Sequence, residues 1–392
     1  MIALDLSRLL SRAHSTTPTG IDRVELAYAR HLISGTAPYC FTARNAVAGI
    51  GLLPAAEAAR FVAAIAALWR DGAAPGQKRR LALLARRLRL GSLFGGKALH
   101  AALRESGGTP VYLSVSHQKL DRARPIARLK AATGARFVCL IHDVIPFEFP
   151  NLTRPGQTQR HRQRIATVSA LADAVIANSA ATGDALLKHL GQRKIPLAVA
   201  PLGIDMPSVP PPPPTERPYF VCIGTIEARK NHRLLLDLWQ RLAAELGDAA
   251  PLLRLIGQRG FGSERLADSL RALRGHVIEH PDLPDAVIAS LLCGARALLL
   301  PSLAEGFGLP VVEALALGVP VLCSDLPALR ESGGGVPDYL DSADSAAWHR
   351  AILDYAENSP ARQAQLARLA DWRLPTWTAH FAIVERLIAD LG

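Results

Sequence analysis

Cysteine is scarce and scattered in this 392-residue chain. The five cysteines (Cys40, Cys139, Cys222, Cys293 and Cys323) include no pair at metal-ligand or redox spacing. Several lie in apolar runs, so they read as buried, reduced thiols of a cytosolic protein. Aromatic residues make up only 5% of the chain. The 49% apolar share rests on Ala, Leu and Val instead, which suits helices packed on buried parallel strands. No charge-free apolar run approaches the ~18 residues of a membrane span. The opening segment carries Asp5 and Arg8 and no small-residue cleavage site, so it reads as a first strand rather than a signal peptide. Three signatures are missing: an Asp-x-Asp clamp for a metal on a diphosphate, a Gly-x4-Gly-Lys-Ser/Thr phosphate loop, and a Gly-x-Ser-x-Gly nucleophile turn. Their absence argues against phosphate-loop nucleotide hydrolysis and serine esterase chemistry. It also favours any phosphate chemistry being metal-independent.

Acidic residues are the minority charge. There are 45 Lys plus Arg against 34 Asp plus Glu, a net charge of +11, which favours anionic partners. Between positions 78 and 104 lie Lys78, Arg79, Arg80, Arg86, Arg87, Arg89, Lys97 and Arg104, with no acid. Within this stretch Leu81, Leu84 and Leu88 share one helical face and Arg80 and Arg87 lie nearer the other. This predicts a basic amphipathic helix able to lie on an anionic membrane. Arg154, Arg160, Arg162 and Arg164 form a second basic run.

The pattern along the chain is a repeated strand–helix alternation. IALDL, TPVYLSVS, ARFVCLIHD, DAVIANS and PLAVAPLGID read as strands in the first half. Helices are expected over much of 55–104 and about 157–172. Residues 206–218, MPSVPPPPPTERP, cannot continue a helix or central strand and read as a stiff linker. A second alternation follows at once. The expected plan is an N-terminal domain at 1–205, the linker at 206–218, and a second domain at 219–375. A last helix at 376–392 would pack back on the first domain. Crossovers of this length imply parallel sheets covered on both faces, so the fold class is α/β with two doubly wound domains facing a cleft. Ligands then belong at the carboxyl ends of the strands.

The most informative segment is Glu305-Gly-Phe-Gly-Leu-Pro-Val-Val-Glu313, directly after the strand RALLLPS. Gly306 and Gly308 make a tight loop, and Pro310 falls in the first turn of the following helix, where proline fits. Backbone amides at such a helix start bind phosphate or sugar oxygens. Glu305 on the loop and Glu313 one turn into the helix can both face one ligand, and carboxylates accept well from diols. The segment 305–325 resembles the signature of glycosyltransferase family 4, the retaining enzymes of GT-B architecture, two Rossmann-like domains around a cleft. The resemblance extends through the second half and more loosely through the first, and it implies that 219–375 is the nucleotide-sugar-binding domain and 1–205 the acceptor-binding one. It implies that Glu305 contacts the donor sugar, Glu313 holds the ribose, and the backbone of Gly306, Phe307, Gly308 and Leu309 lines the sugar and phosphate site.

Gly224-Thr-Ile-Glu-Ala-Arg-Lys-Asn231 also follows a strand and brings two cations to a helix start, a suitable diphosphate cradle. By resemblance Lys230 neutralises the leaving diphosphate. Many members carry a base directly after the glycine, where this chain has Thr225, so Arg229 is the alternative contact. Gly257 resembles the turn beside the nucleotide base, and Gly20 the helix start facing the donor phosphates. His142 and Asp143 close a strand, and His142 matches the histidine facing the donor sugar. Asp143 is a candidate proton acceptor, and His117, ending another strand, a weaker candidate. The expected site is therefore catalytic Glu305, His142, Asp143 and Lys230, with Gly20, Gly224, Thr225, Arg229, Gly257 and the 306–309 backbone around the donor. No metal and no cofactor are expected. The substrates would be a GDP- or UDP-sugar, first of all GDP-mannose, and a saccharide acceptor carried on lipid. The general look is that of bacterial O-antigen and capsule mannosyltransferases at the inner face of the membrane. Two alternatives stay open: a nucleotide-sugar epimerase of the same architecture, and a silent nucleotide-sugar-binding protein. A nucleic-acid binder would explain the charge but not these motifs.

Overall fold

A computed structural model describes residues 1–45, 49–72, 74–205, 209–212 and 214–392. The chain divides into two compact units. The first comprises Met1–Phe147, Gly156–Leu202 and Trp377–Gly392, and the second Glu148–Pro155 and Gly203–Thr376. The seam after Leu202 falls just before the proline-rich stretch. Positions 206–208 and 213 of that stretch lie outside the described residues. Its described part leans on the second unit, where the Pro211 carbonyl accepts from Ser290 Oγ at 3.0 Å.

The first unit is built on seven strands: β1 (Ile2–Asp5), β2 (Tyr39–Arg44), β3 (Ile50–Leu52), β4 (Val111–Ser114), β5 (Arg136–Ile141), β6 (Ala174–Ala177) and β7 (Leu197–Val199), in the order β3-β2-β1-β4-β5-β6-β7. All neighbours are parallel except the edge pair β2–β3. Apolar runs without alternation produce this centre: Phe137–Ile141 and Ala174–Ala177 are buried at every position, as strands covered on both faces must be. Each fully buried Leu, Ile or Phe contributes about 1.5–3 kcal/mol. The closing helix Trp377–Ala389 belongs here. Its His380 donates from Nδ1 to the Ala200 carbonyl (3.1 Å), which leaves Nε2 to accept from Tyr28 (2.7 Å).

The second unit holds β8 (Tyr219–Ile223), β9 (Leu252–Ile256), β10 (Val277–His280), β11 (Leu298–Leu300), β12 (Val321–Ser324) and β13 (Asp338–Leu340), all parallel, in the order β10-β9-β8-β11-β12-β13. Trp239 and Trp348 are fully buried in its core with Phe220, Leu253 and Leu299. Both units are thus doubly wound α/β sheets. From β8 the chain runs outward to β9 and β10, then returns to place β11 on the other side of β8. The loops after β8 and β11 diverge there, at the position where such sheets bind ligands.

Several elements went unread in the sequence: the strands β2, β3 and β13 and the helices Ala123–Thr133, Pro327–Gly333, Ser345–Ala356 and Pro360–Arg368. The segment 263–275, whose sequence pattern predicts one helix, is a 3-10 turn at Ser263–Leu266 followed by a short helix at Ala267–Ala272. The thiols of Cys139 and Cys222 are buried, and desolvation pushes both up to about 12, which leaves them unreactive near neutrality.

Candidate functional site

The loops after β8 and β11 in the second unit bring together two segments that stand far apart in sequence. Gly224 ends β8 with φ +141, and a Cβ there would come within 3.3 Å of the Lys230 side chain. Glycine thus gives the lysine its path across the strand end. Lys230 closes a 3-10 turn at Ala228–Lys230, and Asn231, in the left-handed conformation at φ +53, opens the helix His232–Leu246. Lys230 Nζ donates to Glu305 Oε1 at 2.5 Å, and Ser302 donates to the same oxygen at 2.7 Å. Arg229 Nη1 donates to Glu305 Oε2 at 2.9 Å and to the Ala304 carbonyl at 2.8 Å. The remaining face of Arg229 meets Glu227 at 2.9 Å.

The Lys230 and Glu305 side chains are each only 8% exposed. Burial raises the Glu305 pKa, but Lys230 and Arg229 outweigh it and hold the carboxyl down at about 2. At neutral pH the cluster is therefore one carboxylate clamped by two cations and a hydroxyl.

The glycine loop follows directly. Gly308 (φ +95) is the N-cap of the helix Leu309–Ala316, with Pro310 in its first turn. A Cβ at Gly308 would lie 2.4 Å from Leu329 Cδ2, so a larger residue would push the helix start off its packing. Phe307 is buried, while Gly306, Leu309 and Glu313 are half-buried. Gly257 is also held by a backbone constraint. Its φ is +148, and a Cβ there would sit 2.1 Å from the Gly224 carbonyl. The glycine is required because the ends of β8 and β9 approach so closely. Thr225, half-buried, packs against Gly260 in the same turn, where a Cβ would meet Thr225 Cγ2 at 2.6 Å.

In the first unit, Gly20 begins the helix Gly20–Ser34. Asp22 accepts from the backbone N–H and hydroxyl of Thr19 (2.7 and 2.8 Å) and from Arg8 and Arg12 (2.5 and 3.0 Å). His142 follows β5 and is buried. Its Nε2 donates to the Val115 carbonyl at 2.8 Å, and its backbone N–H donates to His117 Nε2 at 3.1 Å. Asp143 accepts instead from the Ile145 N–H at 3.2 Å, so the two neighbours hold different partners. Burial lowers His142 to about 4 and His117 well below the usual histidine range. Both rings are neutral at pH 7. His161, on the helix Gln157–Leu171, packs its ring 5.4 Å from that of His117. The sequence drew attention to the arginines around His161 and passed over the histidine itself. Its one available signal was its place in that run.

The basic helix forms at Gln77–Gly91, but its faces are the reverse of those expected. Leu81 and Leu88 are buried with Ala85, so the Leu81/Leu84/Leu88 face turns into the protein. Arg87 is tied to Glu57 at 2.8 Å. The exposed apolar residues are Leu83 (56%), Leu90 (53%) and, in the turn beyond the helix end, Leu93 (38%) and Phe94 (87%). Spaced at 79, 83, 86 and 90, the two helical leucines share one stripe with the exposed Arg79 and Arg86. No helix among the described residues is long and apolar enough to cross a membrane.

Known proteins match both halves of the chain. A family model described as Glycosyl transferases group 1 matches residues 217–358, and one described as Glycosyltransferase Family 4 matches residues 63–206. The chain belongs to glycosyltransferase family 4. An O-antigen chain mannosyltransferase B of Escherichia coli is 36% identical over 162 residues, which is 41% of this chain and 42% of that protein. A serotype-specific mannosyltransferase WbdA of Escherichia coli is 26% identical over 223 residues, 51% of this chain and 27% of that protein. The matches thus span about two fifths and about a quarter of these relatives. Among solved structures, Anabaena Alr3699/HepE in complex with UDP-glucose superposes with a TM-score of 0.67 over 99% of both chains, at 17% identity. At that identity the likeness is one of fold, and the fold is GT-B: two Rossmann-like α/β domains.

Proposed function

We propose that this chain is a retaining hexosyltransferase. It takes mannose from GDP-mannose, in first place, and places it on a lipid-linked saccharide in cell-surface polysaccharide assembly. The observation that carries the reading is the Lys230–Glu305–Arg229 cluster at the switch point of the second unit, beside the helix start at Gly308. The mannosyltransferase relatives support the choice of sugar.

As the bond from sugar to diphosphate lengthens, negative charge grows on the leaving group. Lys230, Arg229 and the amides at the start of Leu309–Ala316 stabilise it without a metal. Glu305 keeps these cations in place before the donor arrives and turns a carboxylate toward the sugar hydroxyls. With three donors on its oxygens it is a poor nucleophile. The acceptor then attacks on the leaving-group face, with a phosphate oxygen taking its proton. Glu313 holds the ribose. His142 is a neutral ring whose Nε2–H is held by Val115, which leaves Nδ1 to accept from a sugar hydroxyl rather than to present a charge. The Arg79–Leu83–Arg86–Leu90 stripe, with exposed Phe94 in the turn after the helix, supports peripheral contact with an anionic membrane at its cytoplasmic face.

The test is incubation with GDP-mannose and a mannose-ended lipid-linked oligosaccharide in EDTA, with proton NMR of the product. The reading expects a new α-mannosyl signal. A β-linked product would overturn retention. Conversion of the donor with the acceptor unchanged would favour the epimerase alternative.

A further inference from the structure

Strand β5 ends at Ile141, so His142 is the first residue beyond its ladder. It is nevertheless buried, and a buried backbone N–H and C=O must find partners. Side chains from both flanking strands supply them. His117, three residues past the end of β4, accepts from the His142 N–H through Nε2 at 3.1 Å. Asn178, directly after β6, donates from Nδ2 to the His142 carbonyl at 3.0 Å. Thr182, on the helix Ala180–Leu187, donates to the same oxygen at 3.4 Å. The cap of that helix steadies this side, because Ser179 Oγ accepts from the Thr182 N–H at 3.0 Å. The His142 ring is held as well, through its Nε2 on the Val115 carbonyl at 2.8 Å.

These bonds fix the protons. A carbonyl only accepts, so the neutral His142 ring carries its proton on Nε2 and its lone pair on Nδ1. His117 obeys the matching constraint. Its Nε2 accepts, so its own proton sits on Nδ1; burial, then its neighbours His142, His161 and Arg164, keep that ring neutral. Asn178 adds a separate sign. Its Oδ1 is buried without a hydrogen-bond partner, which is unfavourable for stability. A leucine of similar size would bury no such oxygen. The amide is there for its donor, and that donor serves His142.

We propose that His117 and Asn178 are positioning residues, which hold His142 from both sides of its backbone so that Nδ1 is the atom offered to the sugar. This inference rests on the reading of His142 as a contact of the donor sugar. Both residues act through the His142 backbone. A group misplaced by about 1 Å can lose about a hundredfold in rate, so a single hydrogen bond on either side is enough to matter.

The experiment compares the full chain with His117→Phe, His117→Gln and Asn178→Leu. Phenylalanine keeps a ring without an acceptor, whereas the glutamine side-chain oxygen reaches about as far as Nε2 and accepts. Leucine fills the Asn178 volume without its donor. Nitrogen NMR of histidine-labelled protein, with the His142 signals identified by their loss in His142→Gln, reads the His142 tautomer without any turnover. Wild type and His117→Gln are expected to show the Nε2–H form, and His117→Phe and Asn178→Leu a mixture of tautomers. Rates with GDP-mannose and a mannose-ended lipid-linked oligosaccharide should follow the spectra. His117→Phe and Asn178→Leu are expected to lower kcat at least about tenfold with KM for GDP-mannose within about twofold, and His117→Gln to stay near wild type. Should His117→Phe not fold, Asn178→Leu carries the same test. If wild type transfers nothing from GDP-mannose, the functional reading fails and the spectra alone decide the positioning. A wild-type His142 spectrum in both His117→Phe and Asn178→Leu, or a His117→Gln variant as impaired as His117→Phe, overturns the proposal.

Discussion

Lys230 and Glu305 are each 8% exposed and 2.5 Å apart, so neither charge can lose the other cheaply. Removing one partner of a buried pair costs about 3–5 kcal/mol, whereas replacing both is far milder. Lys230→Met should therefore lower stability in urea by that order, and Lys230→Met/Glu305→Leu should recover part of the loss; strictly additive losses would contradict the pairing. Glu305 also sets an acid response. Its folded pKa of about 2 lies below the ordinary ~4.3, so its contribution is present above that ordinary value and drains away as pH falls toward 2. Glu305→Gln should flatten the dependence of stability on pH between about 5 and 2, measured by urea titration at each pH. His142 gives a third check. With its pKa lowered to about 4, its ring carbons should show no NMR titration between pH 8 and about 5; a midpoint near 6.5 would mean the ring is open to water. Glu305 and Lys230 each stood out because each lies in a local motif, a strand end followed by a turn and a helix start, whereas their pairing across 75 positions was not legible. For Gly257 nothing in the sequence signalled the backbone constraint, the Gly224 carbonyl 2.1 Å from where its Cβ would be.

At the scale of elements, periodicity located the helix Gln77–Gly91 but not its orientation. Leu81, Leu84 and Leu88 share one face and Leu83 and Leu90 another, and spacing alone does not say which face the rest of the chain covers. The structure covers the first. Leu88→Ala should thus cost about 2–5 kcal/mol as a cavity in a packed interior, read by denaturant unfolding. Leu83→Ser/Leu90→Ser should leave stability unchanged while reducing flotation with anionic vesicles. The reverse pattern would restore the orientation read from sequence. The strands β3 and β13 escaped notice for a related reason. Ile50–Leu52 and Asp338–Leu340 are three residues each, too short for a pattern, and the sheet defines them by pairing.

For the whole molecule, the alternation of strand and helix was enough to give two doubly wound units, because parallel strands need crossovers and crossovers of this length are helices. Strand order could not be read that way. It follows from where each crossover lands, and it puts β8 beside β11 and so Lys230 beside Glu305. The central claim is that this juncture binds the donor diphosphate. It is tested most directly by melting temperature with GDP, UDP, ADP and dTDP, with and without EDTA, on wild type and on Lys230→Met. A nucleotide at about 100 times its dissociation constant adds about 2.7 kcal/mol. The account predicts that GDP raises the melting point most, that EDTA does not matter, and that the shift is lost in Lys230→Met. An equal shift in that variant, or no shift with any nucleotide, would contradict it.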